Sequence, residues 1–272
     1  MKTVITVIVD NTAKEELRGE WGLCILVEHA GKKILLDAGA SGLFAENLEK
    51  LGADISGIDM GVLSHAHYDH GNGIPLFFEK NHKAKFYLQE AVAENCYAKK
   101  GFFRKYIGIP KKMTKKYRDR IEYVSGDFQL CDGVWLIPHK TPGLSAIGQE
   151  ELMYRRIRHR WKPDDFAHEQ SLVLDTDKGL VILNSCCHGG AVNIINEVKD
   201  TFPGKHVHAL IGGLHLFRKK EETIKEVARA IGETGIDLVL TGHCTKERAY
   251  GIMKEELGDR VAWMYVGMKT EF

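Results

Sequence analysis

Four potential metal ligands lie within six consecutive residues of this chain, namely His65, His67, Asp69 and His70. They directly follow the apolar segment 60–64, which has the composition of a buried strand. In an extended segment, residues two apart share a face, so the first two histidines can approach one ion where the strand ends. The carboxylate and the third histidine lie in the turn beyond, where they complete the same site or hold a second ion.

The donor types narrow the choice of metal. Imidazole and carboxylate ligands suit zinc, iron or manganese better than calcium or magnesium, which prefer shells of oxygen. Gly71 and Gly73 lower the steric cost of a sharp turn directly after the ligands. A solvated loop that is merely rich in histidine would not need such a turn, so we favour a metal site. We therefore expect one or two zinc ions, with iron or manganese as alternatives.

Apolar segments and turn residues predict an α/β (α+β) chain in which hairpins are mixed with strand–helix units. The predicted strands cover residues 1–9, 22–29, 33–37, 60–64, 84–88, 171–175, 180–184, 206–211, 236–241 and 261–266. The predicted helices cover residues 42–51, 74–80, 89–98, 191–200, 219–232 and 246–257. Such an order implies two mixed β-sheets packed face to face, with helices outside.

Length and composition favour a single domain over residues 1–272, with a basic cap or insertion around residues 99–165. With 44% hydrophobic residues and a net charge of +1, the chain can bury a substantial core. The N-terminus has no signal-peptide pattern and no apolar stretch is long enough to cross a bilayer, so we expect a cytoplasmic protein. The six cysteines lack the spacing of a disulfide framework, and for the adjacent Cys186 and Cys187 we favour buried thiols over redox chemistry.

Three histidines in the second half of the chain each follow an apolar strand and stand near a glycine: His188, His215 and His243. Polar residues at the ends of neighbouring strands meet at one rim of a sheet, where sites are commonly built. We expect His188 to complete the site of the first two histidines of the cluster, and His243 to join Asp69 and His70. We expect catalytic roles for Asp69 and His215, the latter contacting substrate or a metal ligand.

The cluster at residues 65–70 resembles the signature motif of the metallo-β-lactamase superfamily. This resemblance implies a four-layer αββα sandwich, whose order of layers agrees with the predicted elements. It also implies one or two metal ions and the hydrolysis of esters, amides, thioesters or phosphodiesters. In such chemistry, a metal-bound hydroxide attacks carbon or phosphorus while a metal stabilises the developing charge.

The chain departs from the usual superfamily pattern at two places. Leu144 stands where a third histidine ligand is expected, and Cys186 lies in the segment that normally delivers a bridging aspartate. Either His188 or His168 could supply the missing histidine. Without a bridging carboxylate, we expect the second ion to be weakly held or absent.

With these departures, the chain resembles one subgroup of the superfamily. That subgroup is named after the archaeal dihydropterin ribofuranosylaminobenzene phosphate synthase of methanopterin biosynthesis. The resemblance covers nearly the whole chain except its middle. Besides the central cluster it rests on residues 10–11, 36–39, 169–172, 187–189, 213–216 and 243–244. It implies that Asp37 lies beneath the cluster, where a carboxylate accepts the second N–H of a ligand histidine and fixes its tautomer.

Positive charge is concentrated in the middle of the chain. Lysines and arginines dominate residues 99–120, where aromatic residues are interleaved, and a second basic stretch covers residues 155–162. We expect a cap that attracts a small anionic substrate, such as a phosphate or carboxylate ester. Nucleic acid is a weaker candidate because the chain has no overall basic excess. We expect no membrane partner, and a homodimer is compatible with the sequence.

The function that these features predict is a metal-dependent hydrolase of an anionic ester or phosphoester. No Gly-x-Ser-x-Gly segment and no phosphate-binding loop of the Walker type competes with the histidine cluster. Two alternatives remain open. One is a pterin-ring transferase, and the other is a non-enzymatic protein that binds or senses ligands through its metal.

Overall fold

The computed structural model of the chain describes residues 2–14 and 16–272, whose strands form two seven-stranded sheets and one four-stranded sheet. The strands are β1 (Val4–Val9), β2 (Cys24–His29), β3 (Lys32–Leu36), β4 (Met60–Val62), β5 (Lys85–Gln89), β6 (Cys96–Lys100), β7 (Phe103–Tyr106), β8 (Ile121–Val124), β9 (Phe128–Cys131), β10 (Val134–Pro138), β11 (Met153–Ile157), β12 (Arg160–Pro163), β13 (Gln170–Thr176), β14 (Gly179–Leu183), β15 (Val207–Ile211), β16 (Leu238–Thr241), β17 (Val261–Trp263) and β18 (Lys269–Glu271). The helices are α1 (Leu43–Lys50), α2 (Tyr68–Gly71), α3 (Ile74–Lys80), α4 (Met113–Lys116), α5 (Ser145–Glu150), α6 (Ala191–Thr201), α7 (Glu221–Glu233) and α8 (Lys246–Leu257).

The first sheet has the strand order β18-β1-β2-β3-β4-β5-β8. Antiparallel pairing joins β18 through β3, and parallel pairing joins β3 through β8. The predicted hairpin of residues 22–37 is confirmed, and the predicted first strand is confirmed from Val4, while Met1 lies outside the described residues. Strand β1 is buried along almost its whole length, as expected for a strand covered on both faces.

The second sheet has the strand order β17-β16-β15-β14-β13-β10-β9. Its predicted hairpin is confirmed, since β13 pairs antiparallel with β14. From β14 to β17 the strands are parallel, and helices α6, α7 and α8 make the crossovers between them. Helix α7 buries Ile224, Ala228 and Ile231, which lie on one face at helical spacing.

Alternate strand residues pack into different layers, and this produces the four-layer αββα sandwich. In β2, Leu26 packs on the side of α1 and α3, whereas Ile25 faces the second sheet. In β14, Val181 faces the first sheet, whereas Ile182 packs against α6 and α7. The predicted fold class, with two mixed sheets between outer helices, is therefore confirmed. No helix within the described ranges has the length and apolar character needed to cross a membrane.

The third sheet is small and antiparallel, with the order β12-β11-β6-β7, and most of it falls within the predicted basic segment. The helix predicted over residues 89–98 is wrong. The chain turns after Gln89, and β6 then begins at Cys96, where it pairs with both β7 and β11. Pairing with β11, more than fifty residues away, outweighs the local helical preference of this segment.

Candidate metal centre

His65, His67 and His188 form a nearly equilateral group at the rim of the two large sheets. Their ring centroids are separated by 4.6, 4.8 and 4.8 Å, and their ligand atoms all lie within 4.8 Å of one another. The first two histidines follow β4, and His188 follows β14. Phe166 stacks on the His188 ring at a centroid distance of 4.9 Å and an interplanar angle of 7°, which fixes the plane of that ring.

The three imidazoles are neutral and several of their nitrogens are unpaired. Burial, reinforced by the neighbouring histidines, holds the pKa of His65, His67 and His188 well below the ordinary value. Within residues 2–14 and 16–272, Nε2 of His65, Nε2 of His67 and both ring nitrogens of His188 find no hydrogen-bond partner. Buried polar atoms without partners are uncommon because their desolvation is costly, so the arrangement points to a ligand that is bound there.

Asp69, His70 and His243 form a second group beside the first. The Asp69 Oδ2 atom lies 3.6 Å from His243 Nε2 and 3.8 Å from His70 Nε2. Burial lowers the pKa of His243 to about 3, so this imidazole is also neutral at physiological pH. Its Nε2 atom has no hydrogen-bond partner in the described part of the chain. The structure thus brings together all six residues predicted as ligands.

The Cys186 thiol lies between the two groups. Its Sγ atom is 3.3 Å from His70 Nε2, and it falls within 4.8 Å of ligand atoms of His65, His188 and His243. The sequence predicts a buried thiol at this position and no role in metal binding. Its position directly after β14, where a bridging aspartate is expected, was the available signal.

Asp37 lies beneath the centre, as the resemblance implies. Its Oδ2 atom accepts hydrogen bonds from His70 Nδ1 at 2.8 Å, Ser64 Oγ at 2.7 Å and Ser185 Oγ at 2.6 Å. The Ser64 hydroxyl is also 2.9 Å from His65 Nδ1. Because the serine proton goes to Asp37, the serine oxygen accepts from His65 Nδ1–H. In the neutral form of each ring the proton therefore lies on Nδ1, and Nε2 is the nitrogen that can bind a metal. Although burial opposes the charged ring, the Asp69 and Asp37 carboxylates raise the pKa of His70.

His168, the alternative third histidine, has both ring nitrogens engaged. Its Nδ1 atom accepts from the backbone N–H of Ala66 at 3.2 Å, and its Nε2 atom is 3.2 Å from Asp164 Oδ2. An Nδ1 that accepts a hydrogen bond leaves the ring proton on Nε2, from which it is donated to Asp164. His168 therefore supports the segment between the first two histidines, and His188 has the free nitrogens that a ligand requires.

A buried charged network holds the loop that carries His188. The Glu169 carboxylate accepts the backbone N–H groups of His188 and Gly189, both at 2.9 Å, and it also contacts His139 Nε2 at 2.5 Å. His139 Nδ1 is 3.0 Å from Glu197. Although burial opposes the charged ring, the two carboxylates raise the pKa of His139 to about 9. Glu169 belongs to the subgroup pattern in the sequence, but that pattern predicts no role for it, and no motif marks His139.

His215 stands beside the first group, with its ring centroid 4.4 Å from that of His188. Its Nε2 atom lies 3.6 Å from Glu151 Oε2, and Glu151 is also paired with Lys219. Burial disfavours the imidazolium, but contacts with Cys244 and Glu151 raise the pKa of His215 to about 9. Burial also disfavours the charged form of Glu151, which raises its pKa, but the neighbouring His215 and Lys219 outweigh burial and lower the pKa of Glu151 to about 2. No sequence motif marks Glu151, so its contact with His215 was not predicted.

A cavity of about 240 Å³ opens onto both groups. Lys99 and Lys100 from β6 and Arg218 after β15 line it, so the small sheet borders the centre. The aromatic residues of its wall are Trp21, Tyr68 and Phe217. Positive charge and aromatic surface therefore lie together on the cavity wall, and the two lysines belong to the segment predicted as a basic cap.

Comparisons with known proteins agree with this geometry. The family model described as "Metallo-beta-lactamase superfamily" matches residues 20–192. The chain is 26% identical to the 7,8-dihydropterin-6-methyl-4-(beta-D-ribofuranosyl)-aminobenzene-5'-phosphate synthase of Methanocaldococcus jannaschii, over 92% of this chain and 90% of that protein. It is 24% identical to an uncharacterized protein of the same organism, over 90% and 92% of the two chains.

Two solved structures show the same fold. A metal-dependent hydrolase of the beta-lactamase superfamily superposes with a TM-score of 0.81 at 24% identity, covering 99% of both chains. The metallo-beta-lactamase fold protein YhfI from Bacillus subtilis superposes with a TM-score of 0.61 at 13% identity, covering 100% of this chain and 99% of that one. The resemblance expected from the histidine cluster is confirmed, and the chain belongs to the metallo-β-lactamase superfamily.

Proposed function

We propose that this chain is a metal-dependent hydrolase of small anionic esters or phosphoesters. The observation that carries the proposal is the pair of buried imidazole groups, with unpartnered nitrogens, at the base of a cavity bordered by cations. Neutral imidazoles held at metal-ligand spacing have no stabilising role without an ion, since each unpaired nitrogen costs desolvation free energy.

The side chains fit two transition-metal ions. We assign His65, His67 and His188 to one ion, and Asp69, His70 and His243 to the other. The Cys186 sulfur lies near ligand atoms of both groups. We propose that it takes the place of the missing bridging carboxylate, so the second ion is held and is not weakly bound or absent, as the sequence alone predicts. Nitrogen, oxygen and sulfur donors together suit zinc or iron better than manganese, which prefers oxygen. We therefore favour zinc.

Two of the chain's own side chains, Asp69 and His215, line the cavity where attack on the substrate would occur. A bound transition metal supplies a water of lowered pKa and polarises the bond to be broken. The Asp69 carboxylate, on the cavity wall, accepts a hydrogen bond from the attacking water and orients it. His215 also lines the cavity, and its pKa of about 9 makes it a proton donor for the leaving group at neutral pH. The Glu151 carboxylate, 3.6 Å from its Nε2 atom, stabilises the charged ring.

The cations at the entrance favour an anionic substrate. Lys99, Lys100 and Arg218 have no carboxylate partner in the described ranges of the chain, whereas neighbouring Lys219 is paired with Glu150 and Glu151. An unpaired cation beside a partly closed cavity attracts a phosphate or carboxylate group and can form charge-assisted hydrogen bonds with it. We expect the anionic group of the substrate at this edge.

A second candidate is a transferase that joins a pterin to an aminobenzene phosphate. It is supported by the relative that is named for synthesis of such a compound and that aligns with 92% of this chain. The aromatic wall also favours it, because Trp21, Tyr68 and Phe217 offer surfaces on which a planar ring can pack. The unpaired cations suit the phosphate of that substrate as well as they suit a phosphoester.

Substrate panels distinguish these candidates. Protein of measured metal content is incubated with aryl phosphoesters and carboxylate esters, and separately with a dihydropterin and ribosylaminobenzene phosphate, and products are identified by mass spectrometry. We expect hydrolysis that falls about 100-fold or more in His67→Ala. His82→Ala, which removes an exposed histidine, should be unchanged. Condensation without hydrolysis supports the transferase, and no turnover by metal-loaded protein supports a non-enzymatic binding role.

A further inference from the structure

Two thiols face each other inside the centre. The Sγ atoms of Cys186 and Cys244 are 3.5 Å apart, and both residues are buried yet line the cavity. Cys186 follows β14 and Cys244 follows β16, so the sheet places them close in space although they are 58 positions apart in the sequence. The backbone N–H of His215 donates to Cys244 Sγ at 3.2 Å and holds that sulfur toward its partner.

The pair differs from the other cysteines of the chain. A disulfide has a sulfur–sulfur bond of about 2.05 Å, so these two atoms need to approach by about 1.5 Å. Small rotations of two side chains can provide this movement. The adjacent Cys187 is equally buried, but its Sγ atom is directed at the backbone carbonyl of Asn184, 3.7 Å away. This neighbour supplies a matched control.

We propose that Cys186 and Cys244 form a reversible disulfide that competes with metal binding. The inference rests on the metal centre proposed above and adds a redox switch to it. A peroxide is the oxidant: one thiol attacks it to give a sulfenic acid and water, and the second thiol displaces a further water as the sulfur–sulfur bond forms. Two thiols and one hydrogen peroxide thus become one disulfide and two waters.

The disulfide removes a donor from the second group. Cys186 Sγ lies 3.3 Å from His70 Nε2, where a thiolate can share an ion with that ring. A disulfide sulfur carries no negative charge and is a poor ligand, so oxidation leaves the second group without sulfur. A bound ion, in turn, occupies the thiolate and protects it from peroxide. Metal loading and oxidation are therefore expected to oppose each other.

Peptide mapping tests the switch. Chelator-treated protein receives one equivalent of hydrogen peroxide, free thiols are alkylated, and a non-reducing digest is analysed by mass spectrometry. We expect a peptide pair linked through Cys186 and Cys244 in wild type and in Cys187→Ser, and none in Cys244→Ser. Metal-loaded wild type should resist linkage, and dithiothreitol should restore metal uptake by the oxidised protein.

The outcomes separate this inference from the proposed function. If reduced wild type binds metal but its oxidised form shows no link between Cys186 and Cys244, the switch is overturned and the metal centre stands. A link that forms equally fast in metal-loaded protein also overturns the competition. If reduced protein binds no metal at all, both the centre and the competition are wrong, whatever the state of the cysteines.

Discussion

The Asp37 carboxylate lies 2.8 Å from Nδ1 of His70, and both side chains are fully buried. This contact engages Nδ1 and leaves the Nε2 atom of His70 facing Asp69 and Cys186. Through Ser64, the same carboxylate sets the tautomer of His65. Asp37, which directly follows β3, thus fixes the tautomer of one imidazole in each group of candidate ligands.

Replacing this carboxylate should weaken metal binding. Asp37→Asn keeps the shape of the side chain but removes its charge, so we expect the affinity for metal to fall about 10- to 100-fold. Competition with a chromophoric chelator measures the change. Asp59→Asn is the control, because Asp59 accepts the backbone N–H of Lys33 and takes no part in the centre. Equal affinities for Asp37→Asn and wild type would contradict the role of Asp37.

The His139 network should make stability depend on pH. In the folded protein the pKa of His139 is about 9, above the ordinary value of 6.5 that applies when the chain unfolds. Because the folded pKa is the higher one, the stabilisation is complete below about pH 6.5 and is lost as the pH rises toward about 9. We expect the free energy of unfolding of metal-free protein to fall over this range. Urea titrations of His139→Gln should show a smaller fall, and an identical fall would refute the assignment.

Gly189 has no room for a side chain. A Cβ atom at this position would lie 2.2 to 2.8 Å from atoms of the His139 ring. We expect Gly189→Ala to destabilise the fold by about 1–3 kcal/mol, through overpacking, and to reduce metal uptake by displacing His188. Gly251→Ala is the matched control in helix α8, where a Cβ meets no atom within 4 Å. It should instead stabilise by about 0.5–1 kcal/mol, as thermal unfolding can show.

The two lysines of β6 should contribute to anion affinity. The double variant Lys99→Ala, Lys100→Ala should weaken inhibition by an aryl phosphonate about tenfold and reduce the salt dependence of that inhibition. We expect kcat to change little, since neither lysine is assigned to bond breaking. A double variant at Lys80 and Lys83 carries the same change in charge outside this cavity. Similar inhibition constants in the two double variants would exclude an anion site at β6.

Features encoded by neighbouring residues were predicted from the sequence. The histidine cluster follows β4, and the hairpins of both large sheets arise from apolar segments joined by turns. Partners that meet only through tertiary packing were not predicted. Glu151 lies 64 positions before His215 in the sequence, and the Cys186–Cys244 contact depends on the order of β14 and β16 in the sheet.

The false helix at residues 89–98 has a similar origin. The local sequence of this segment favours a helix, but Cys96 and Tyr97 pair with β11. The local sequence does not specify where β11 lies, so this pairing could not be predicted from it. The choice between His168 and His188 also required the structure. Both are buried histidines near His67, and only their hydrogen bonds distinguish them.

The metal content of the protein tests the central proposal most directly. Chain purified without added metal is analysed by elemental mass spectrometry, with folding checked by circular dichroism. We predict close to two transition-metal ions per chain in wild type and close to one in His243→Ala, because that change removes a ligand of the second group while leaving the first intact. A folded wild-type chain that contains no transition metal, and takes up none when it is supplied, would contradict the account.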